Sequence, residues 1–132
     1  MFSTPDEAEA AYYRAFERAD HDLMSEVWLA SDHVSCIHPL ADEIHGHRFV
    51  LASWRAIFHN QGPTPVAHTA TEKHLAGPLA VHLGIETLTR NDAEHAFLAT
   101  NVFQLERDGW RMLSHHASPK PKTNSHPANV LH

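Results

Sequence analysis

The sequence predicts an α+β domain, with helices in its first half and an antiparallel sheet laid over them in its second. Three observations carry that expectation. Apolar residues recur at three-and-four spacing up to about residue 60, strand-like apolar runs replace that period afterwards, and paired turn residues separate the runs. A chain of 132 residues suits one domain with one core.

From Thr4 to about Asp20 the apolar positions are Ala8, Ala11, Tyr12, Ala15, Phe16 and Ala19, the pattern of a helix with one buried face. Thr4 suits the N-cap, Pro5 the first helical position, and Asp6 and Glu7 the positive end of the helix dipole. A shorter helix is expected over 22–29, with Leu23, Val27 and Trp28 inward. "HVSCIHP" reads as a short strand ended by Pro39, and "LADEIHGH" as a polar loop. "RFVLASWRAIFHN" returns to helical spacing through Phe49, Val50, Trp54, Ile57 and Phe58, and Gln61-Gly62-Pro63 ends it.

Four strand segments follow: "PVAHTATEKHLA", "PLAVHLGIETLTR", "EHAFLATNVFQLER" and "GWRMLSHHAS". Gly77-Pro78, Asn91-Asp92 and Asp108-Gly109 are the turns between them. The domain is expected to span 1–119, and the Pro- and Asn-rich segment 120–132 is read as a mobile tail.

Composition narrows the function classes. Hydrophobic residues make up 42% and charged residues 20%, as in an ordinary globular protein. The formal charge is −6 with its fourteen histidines neutral, and mild acid would reverse the sign. An acidic chain with no basic stripe argues against nucleic acid. The start lacks the basic and apolar regions of a leader, no run is long enough to span a membrane, and the single cysteine, Cys36, forms no intrachain disulfide. A reducing, cytoplasmic setting is the expectation. The five glycines form no phosphate loop, so no nucleotide cofactor is expected. "HGH" at His45 and His47, near Asp42 and Glu43, lacks a firm third ligand. Adventitious nickel or zinc would suit it better than a structural metal.

"DLMSEVWLASDHVSCIHP", "GHRFVLASW" and "TNVFQLERDGWRMLSHHAS", in that order, resemble the nuclear-transport-factor-2-like superfamily over most of residues 10–119. That superfamily includes ketosteroid-isomerase-like, SnoaL-like polyketide-cyclase and calmodulin-kinase-association branches. The resemblance implies a cone: a curved antiparallel sheet wrapped around about three helices, an internal pocket open at one end, and homodimers formed through the outer sheet face. It also implies site positions. His38, before Pro39, stands where the isomerases carry their proton-shuttling aspartate, and Asn101 where they carry a protonated aspartate that donates to an oxyanion. The tyrosine completing that oxyanion hole falls near Arg14, with Tyr13 one step away. Three changes of chemical type argue against the steroid isomerase reaction itself.

Imidazole can still shuttle a proton, and an amide can donate to a developing enolate. His38 as base and Asn101 as polarising donor, meeting across one hollow, would move a proton beside a carbonyl. The competing reading is that the two groups merely bond each other or backbone. Neighbours on a strand face opposite ways, so His115 and His116 cannot share a metal unless a bulge intervenes. His116, with Ser118, is assigned to the pocket; filling space with one hydrogen bond is its plainer role. Glu86 interrupts an apolar strand and either meets solvent or enters the cavity as a base or charge partner. His68, His74 and His82 are placed on the outer sheet face. Trp28 and Trp54 are read as core or pocket wall. Cys36 and His38, two apart, could face each other, although a buried structural thiol is the commoner case.

The function expected is binding of a small apolar or aromatic carbonyl compound, with cofactor-independent isomerisation, cyclisation, dehydration or hydrolysis if it is turned over. The alternative is a non-catalytic association module that dimerises through its sheet.

Overall fold

The computed structural model describes residues 1–122, so the expectation for the tail beyond that point, with His126 and His132, lies outside the described residues. Helix α1 runs Pro5–Arg18. Thr4 caps it, its hydroxyl accepting from the Glu7 N–H at 3.1 Å, and the helix stops where Ala19 turns left-handed. Two residues separate α1 from helix α2 (His21–Val27), and the second of them, Asp20, is its cap. Helix α3 (His47–Gln61) ends at Gly62, whose positive φ closes the last turn.

Six strands form one sheet: β1 (Ser35–Ile37), β2 (Glu43–His45), β3 (Val66–Ala76), β4 (Leu79–Arg90), β5 (Ala93–Glu106) and β6 (Gly109–Pro119). They lie in the order β2-β1-β6-β5-β4-β3. The last four are the expected meander, and Asn91 and Asp92 both take positive φ in the tight turn between β4 and β5.

Two expectations are corrected. "LADEIHGH" is not wholly loop, because its residues 43–45 pair with β1 as an edge strand. They escape a pattern reading because only Ile44 is half-buried. The sheet is also mixed rather than purely antiparallel, since β1 lies parallel to β6 and connects to it across most of the chain.

The concave face of the sheet covers the helices. Ala8, Tyr12 and Phe16 from α1, Met24 and Val27 from α2 with Trp28 just after it, and Val50 and Trp54 from α3 meet Phe103 and Met112 in one buried cluster. Trp110 packs, as read from its place after the turn. The convex face carries Val81, Leu83, Ile85, Leu98 and Val102, of which Leu83 and Leu98 are exposed.

Candidate functional site

Strand alternation builds one wall of a cavity. β4 turns Ala80, His82, Gly84, Glu86 and Leu88 inward, and β5 turns Ala99, Asn101 and Phe103 inward. Cross-strand pairing arranges these in rungs: His82, Asn101 and His115; then Gly84, Ala99 and Ala117; then Glu86, Phe97 and Pro119. In the middle rung the His68 ring fills the space over Gly84, whereas Ala117 ends at a methyl group and borders open space. A cavity of about 280 Å³ opens here, and Phe16, Trp54 and Phe97 are among its walls. Three buried or half-buried polar residues line it: His38, Glu86 and His115. Gln61 and Arg90, both exposed, mark the mouth, where the guanidinium donates to the Gln61 carbonyl at 2.7 Å.

His115 reaches the cavity because of a β-bulge. Asn101 pairs with His115 and Val102 with Ser114, but Phe103 pairs with Met112, leaving Leu113 as an extra residue. The inward parity set by Met112 therefore passes to His115 and Ala117, and His116 and Ser118 are exposed on the other side. The assignment of His116 and Ser118 to the pocket is corrected accordingly. Arg14 is also exposed, on the solvent side of α1, and Tyr13 is the residue of that pair that turns toward the sheet.

Asn101 is fully buried but lies behind the cavity wall. Its amide donates to Glu9 Oε2 at 3.0 Å and to the Tyr13 hydroxyl at 3.0 Å, and its Oδ1 faces His115 Nδ1 at 2.6 Å. Its donors are therefore spent, and the expected meeting of His38 with Asn101 across the hollow does not occur. Asn101 positions the groups that line the cavity instead. The Tyr13 hydroxyl in turn donates to Glu86 Oε2 at 2.7 Å.

These partners fix the protons. The Asn101 amide must point its nitrogen at the Glu9 carboxylate, so its oxygen accepts from His115 Nδ1–H and leaves His115 Nε2 as a lone-pair acceptor. That nitrogen lies 3.9 Å from Glu86 Oε2. Burial, with smaller repulsion from His38, His116 and His68, pushes the His115 pKa down to about 3, so the ring is neutral at pH 7. Ser53 donates to the Val50 carbonyl at 2.6 Å and must accept from His38 Nε2–H at 2.9 Å, which leaves His38 Nδ1 as an acceptor too. Burial lowers the His38 pKa as well.

Glu86 is 2% exposed, and burial raises its carboxyl to about 7, against the opposing Tyr13 hydrogen bond and with help from the Glu9 charge. Its Oε1 makes no hydrogen bond among the described residues. A carboxyl that is half protonated at neutral pH, on a cavity wall, suits exchange of a proton with a bound molecule.

Residues 6–121 match the SnoaL-like domain family. The chain belongs to that family. The SnoaL-like domain is also similar to a Thiobacillus denitrificans structure named as a candidate calcium/calmodulin-dependent protein kinase type II association domain. The two are 43% identical, with TM-score 0.87 over 92% of this chain and 98% of that one. A candidate dehydratase of the nuclear-transport-factor-2-like family from Streptomyces avermitilis is 29% identical, with TM-score 0.78 over 86% of this chain and 92% of that one. An Erwinia carotovora ketosteroid-isomerase-like protein, at 18% identity and TM-score 0.71 over 88% and 94%, shares the fold. Among curated proteins, Arabidopsis thaliana F-box protein SKIP8 is 33% identical over 96 residues. That match takes in 72% of the SnoaL-like domain's chain but only 40% of SKIP8.

Several other expectations resolve in this domain. His82 is buried rather than on the outer face, its Nδ1–H donating to Glu9 Oε1 at 3.0 Å. His68 also turns inward, its ring stacked on Tyr13 with centroids 4.2 Å apart; a Cβ on Gly84 would collide with it and with the Thr69 carbonyl. Only His74 of that trio is exposed. Cys36 is buried, and burial pushes its thiol up to about 12, so the 3.7 Å approach of its Sγ to His38 gives no thiolate nucleophile. Sequence reasoning missed Glu9. A glutamate one turn before a tyrosine, beside Ala8 on the buried face of an amphipathic helix, was the available signal. No helix among the described residues is long and apolar enough to cross a membrane.

Proposed function

We propose that the cavity binds a small, largely apolar organic molecule and that Glu86 exchanges a proton with it, in a cofactor-independent isomerisation, cyclisation or dehydration of a carbonyl compound. One observation carries this reading: Glu86 is buried on the cavity wall with one oxygen held by Tyr13 and the other unpaired, and it titrates near 7. When protonated, it is the donor that a ligand carbonyl needs, the role expected of Asn101. His115 Nε2 is too weakly basic to be the principal base and serves to orient the ligand. The size, near the lower end of the roughly 300–1,000 Å³ usual for ligand pockets, suits a molecule of one or two rings.

Binding of the fluorescent aryl ketone 2-acetonaphthone tests the proposal. Wild-type affinity should fall as pH rises through about 7, when Glu86 loses its proton. Glu86→Gln, which keeps a donor, should bind at all pH values, and Glu86→Leu should bind weakly at all of them. A Glu86→Leu protein with the wild-type affinity and pH profile would remove Glu86 from the site.

A second reading is favoured by the convex sheet face and by the similarity to the Thiobacillus structure named for an association domain. We propose that two copies pair through Val81, Leu83, Ile85 and Leu98. The double variant Leu83→Asp, Leu98→Asp should then sediment as a monomer. An unchanged sedimentation coefficient would exclude this face as the interface. Pairing there leaves the cavity open, so the two readings are compatible.

A further inference from the structure

The protons fixed above make the inner end of the cavity one-sided. His115 Nε2 is a lone pair, Glu86 Oε1 is an unpaired carboxyl oxygen, and His38 Nδ1 is an acceptor whose one recorded partner is the weak Cys36 thiol donor at 4.0 Å. The nearby donors are unavailable. The Trp54 indole N–H and the Tyr12 hydroxyl have no partner but are buried out of a ligand's reach, the Tyr13 hydroxyl is used on Glu86, and the Asn101 amide on Glu9 and Tyr13. Among the described residues that line the cavity, the side-chain donors exposed to a ligand are those of Arg90 and Gln61 at the mouth. Ionised Glu86 also lacks a counter-charge. Its nearest basic group is the neutral His115 ring at 3.9 Å, and no lysine or arginine among the described residues lies in salt-bridge reach. A buried carboxylate without a cationic partner is an unfavourable arrangement that a cationic ligand would relieve.

We infer that the cavity takes a primary organic ammonium, its N–H groups donating to Glu86, His115 and His38 and its apolar body lying against Trp54, Phe16 and Phe97. An ammonium has three donors for three acceptors, and the aromatic walls suit both its carbon skeleton and its charge. The formal charge of −6 favours cation approach. Exposed Arg90 at the mouth opposes a second positive charge, which restricts the ligand to a monoamine. The inference rests on the binding half of the proposed function and deepens it: protonated Glu86 engages a carbonyl, ionised Glu86 an ammonium, in the same space.

The groups facing Glu86 set the pH dependence. Tyr13 is neutral and donates, Glu9 lies behind through Asn101 and Tyr13, His115 is neutral through the range concerned, and burial lowers the pKa of His38 on the cavity wall and of His68, the cross-strand partner of Glu86. With a carboxyl near 7, only about one molecule in a hundred is ionised at pH 5, so ammonium binding should be about 100-fold weaker there than at pH 8.

Calorimetry of the full chain with 2-phenylethylamine, 2-phenylethanol and 2-acetonaphthone tests this. The amine should bind more tightly at pH 8 than at pH 5 and more tightly than the alcohol at pH 8, while the ketone shows the opposite slope. Glu86→Gln should lose the amine and keep the ketone. Amine binding no stronger than alcohol binding at pH 8, or retained in Glu86→Gln, overturns the inference and leaves the ketone reading standing. If none of the three probes binds, the cavity reading fails and takes this inference with it.

Discussion

Two buried glutamates, linked through Asn101 and Tyr13, divide this molecule into a structural half and a chemical half. Glu9, on α1, has both oxygens satisfied: Oε1 by His82 and Oε2 by Asn101, each at 3.0 Å. Glu86, on β4, has one oxygen held by Tyr13 and the other unpaired on a cavity wall. Both carboxyls are removed from water, but only one has its hydrogen-bonding capacity filled from within the chain. A filled network rigidifies the fold, whereas an unfilled one is open to a ligand. Ala117 contributes to the difference, because its methyl group leaves the cavity side of the neighbouring rung open, while the His68 ring fills the space over Gly84.

Substitutions can break the contrast from either side. The largest effect is expected at its hinge. Asn101→Leu strands Glu9 Oε2 and His115 Nδ1 in the core, and at about 1–3 kcal/mol for each unsatisfied group the loss should be about 3 kcal/mol or more, read from urea unfolding. A loss under about 1 kcal/mol would show that the network is not structural.

His115 should make the fold acid-sensitive. Its folded pKa, about 3, lies below the unfolded value, so the unfolded chain takes up a proton first and stability is lost as pH falls from about 6.5 toward 3. His115→Asn, which keeps a nitrogen near the Nδ1 position, should flatten that part of the stability–pH curve. An unaltered slope would place the acid sensitivity elsewhere.

Glu86 acts with the opposite sign. Its folded pKa is raised, so its contribution is intact below about 4.5 and is lost as pH rises through about 7. Glu86→Gln should therefore be more stable than wild type at pH 8, by roughly 1–3 kcal/mol, with the difference vanishing near pH 4. Equal stability of the two proteins at pH 8 would mean that the carboxylate is compensated. The smallest effect belongs to His116→Ala on the convex face. It should change stability by no more than about 0.5 kcal/mol and leave ketone binding intact. Loss of binding in that variant would reverse the assignment of the two histidines.

The fold was legible in the sequence where local chemistry decides it. The cap at Thr4, the stop at Gly62 and the three meander turns all stand where spacing and turn residues put them. Residues 43–45 escaped because an edge strand with exposed side chains carries no apolar period, and the parallel β1–β6 pair because long-range pairing leaves no local mark. At the site, the cavity walls at Trp54 and Glu86 could be named as candidates, but orientation could not be read. One extra residue at Leu113 exchanged His116 for His115. Asn101 was correctly marked as unusual and given the wrong task, since nothing in "TNVF" reveals that Glu9 and Tyr13, some ninety positions earlier, claim its amide.

The central claim is that the Glu86 carboxyl is buried, uncompensated and able to exchange a proton near neutrality. A carbon-13 NMR titration of side-chain carboxyls, with Glu86→Gln to assign the resonance, measures it directly. The account predicts one glutamate with a midpoint near 7, missing from the variant. If every glutamate instead titrates around the usual value of about 4.3, the claim is wrong.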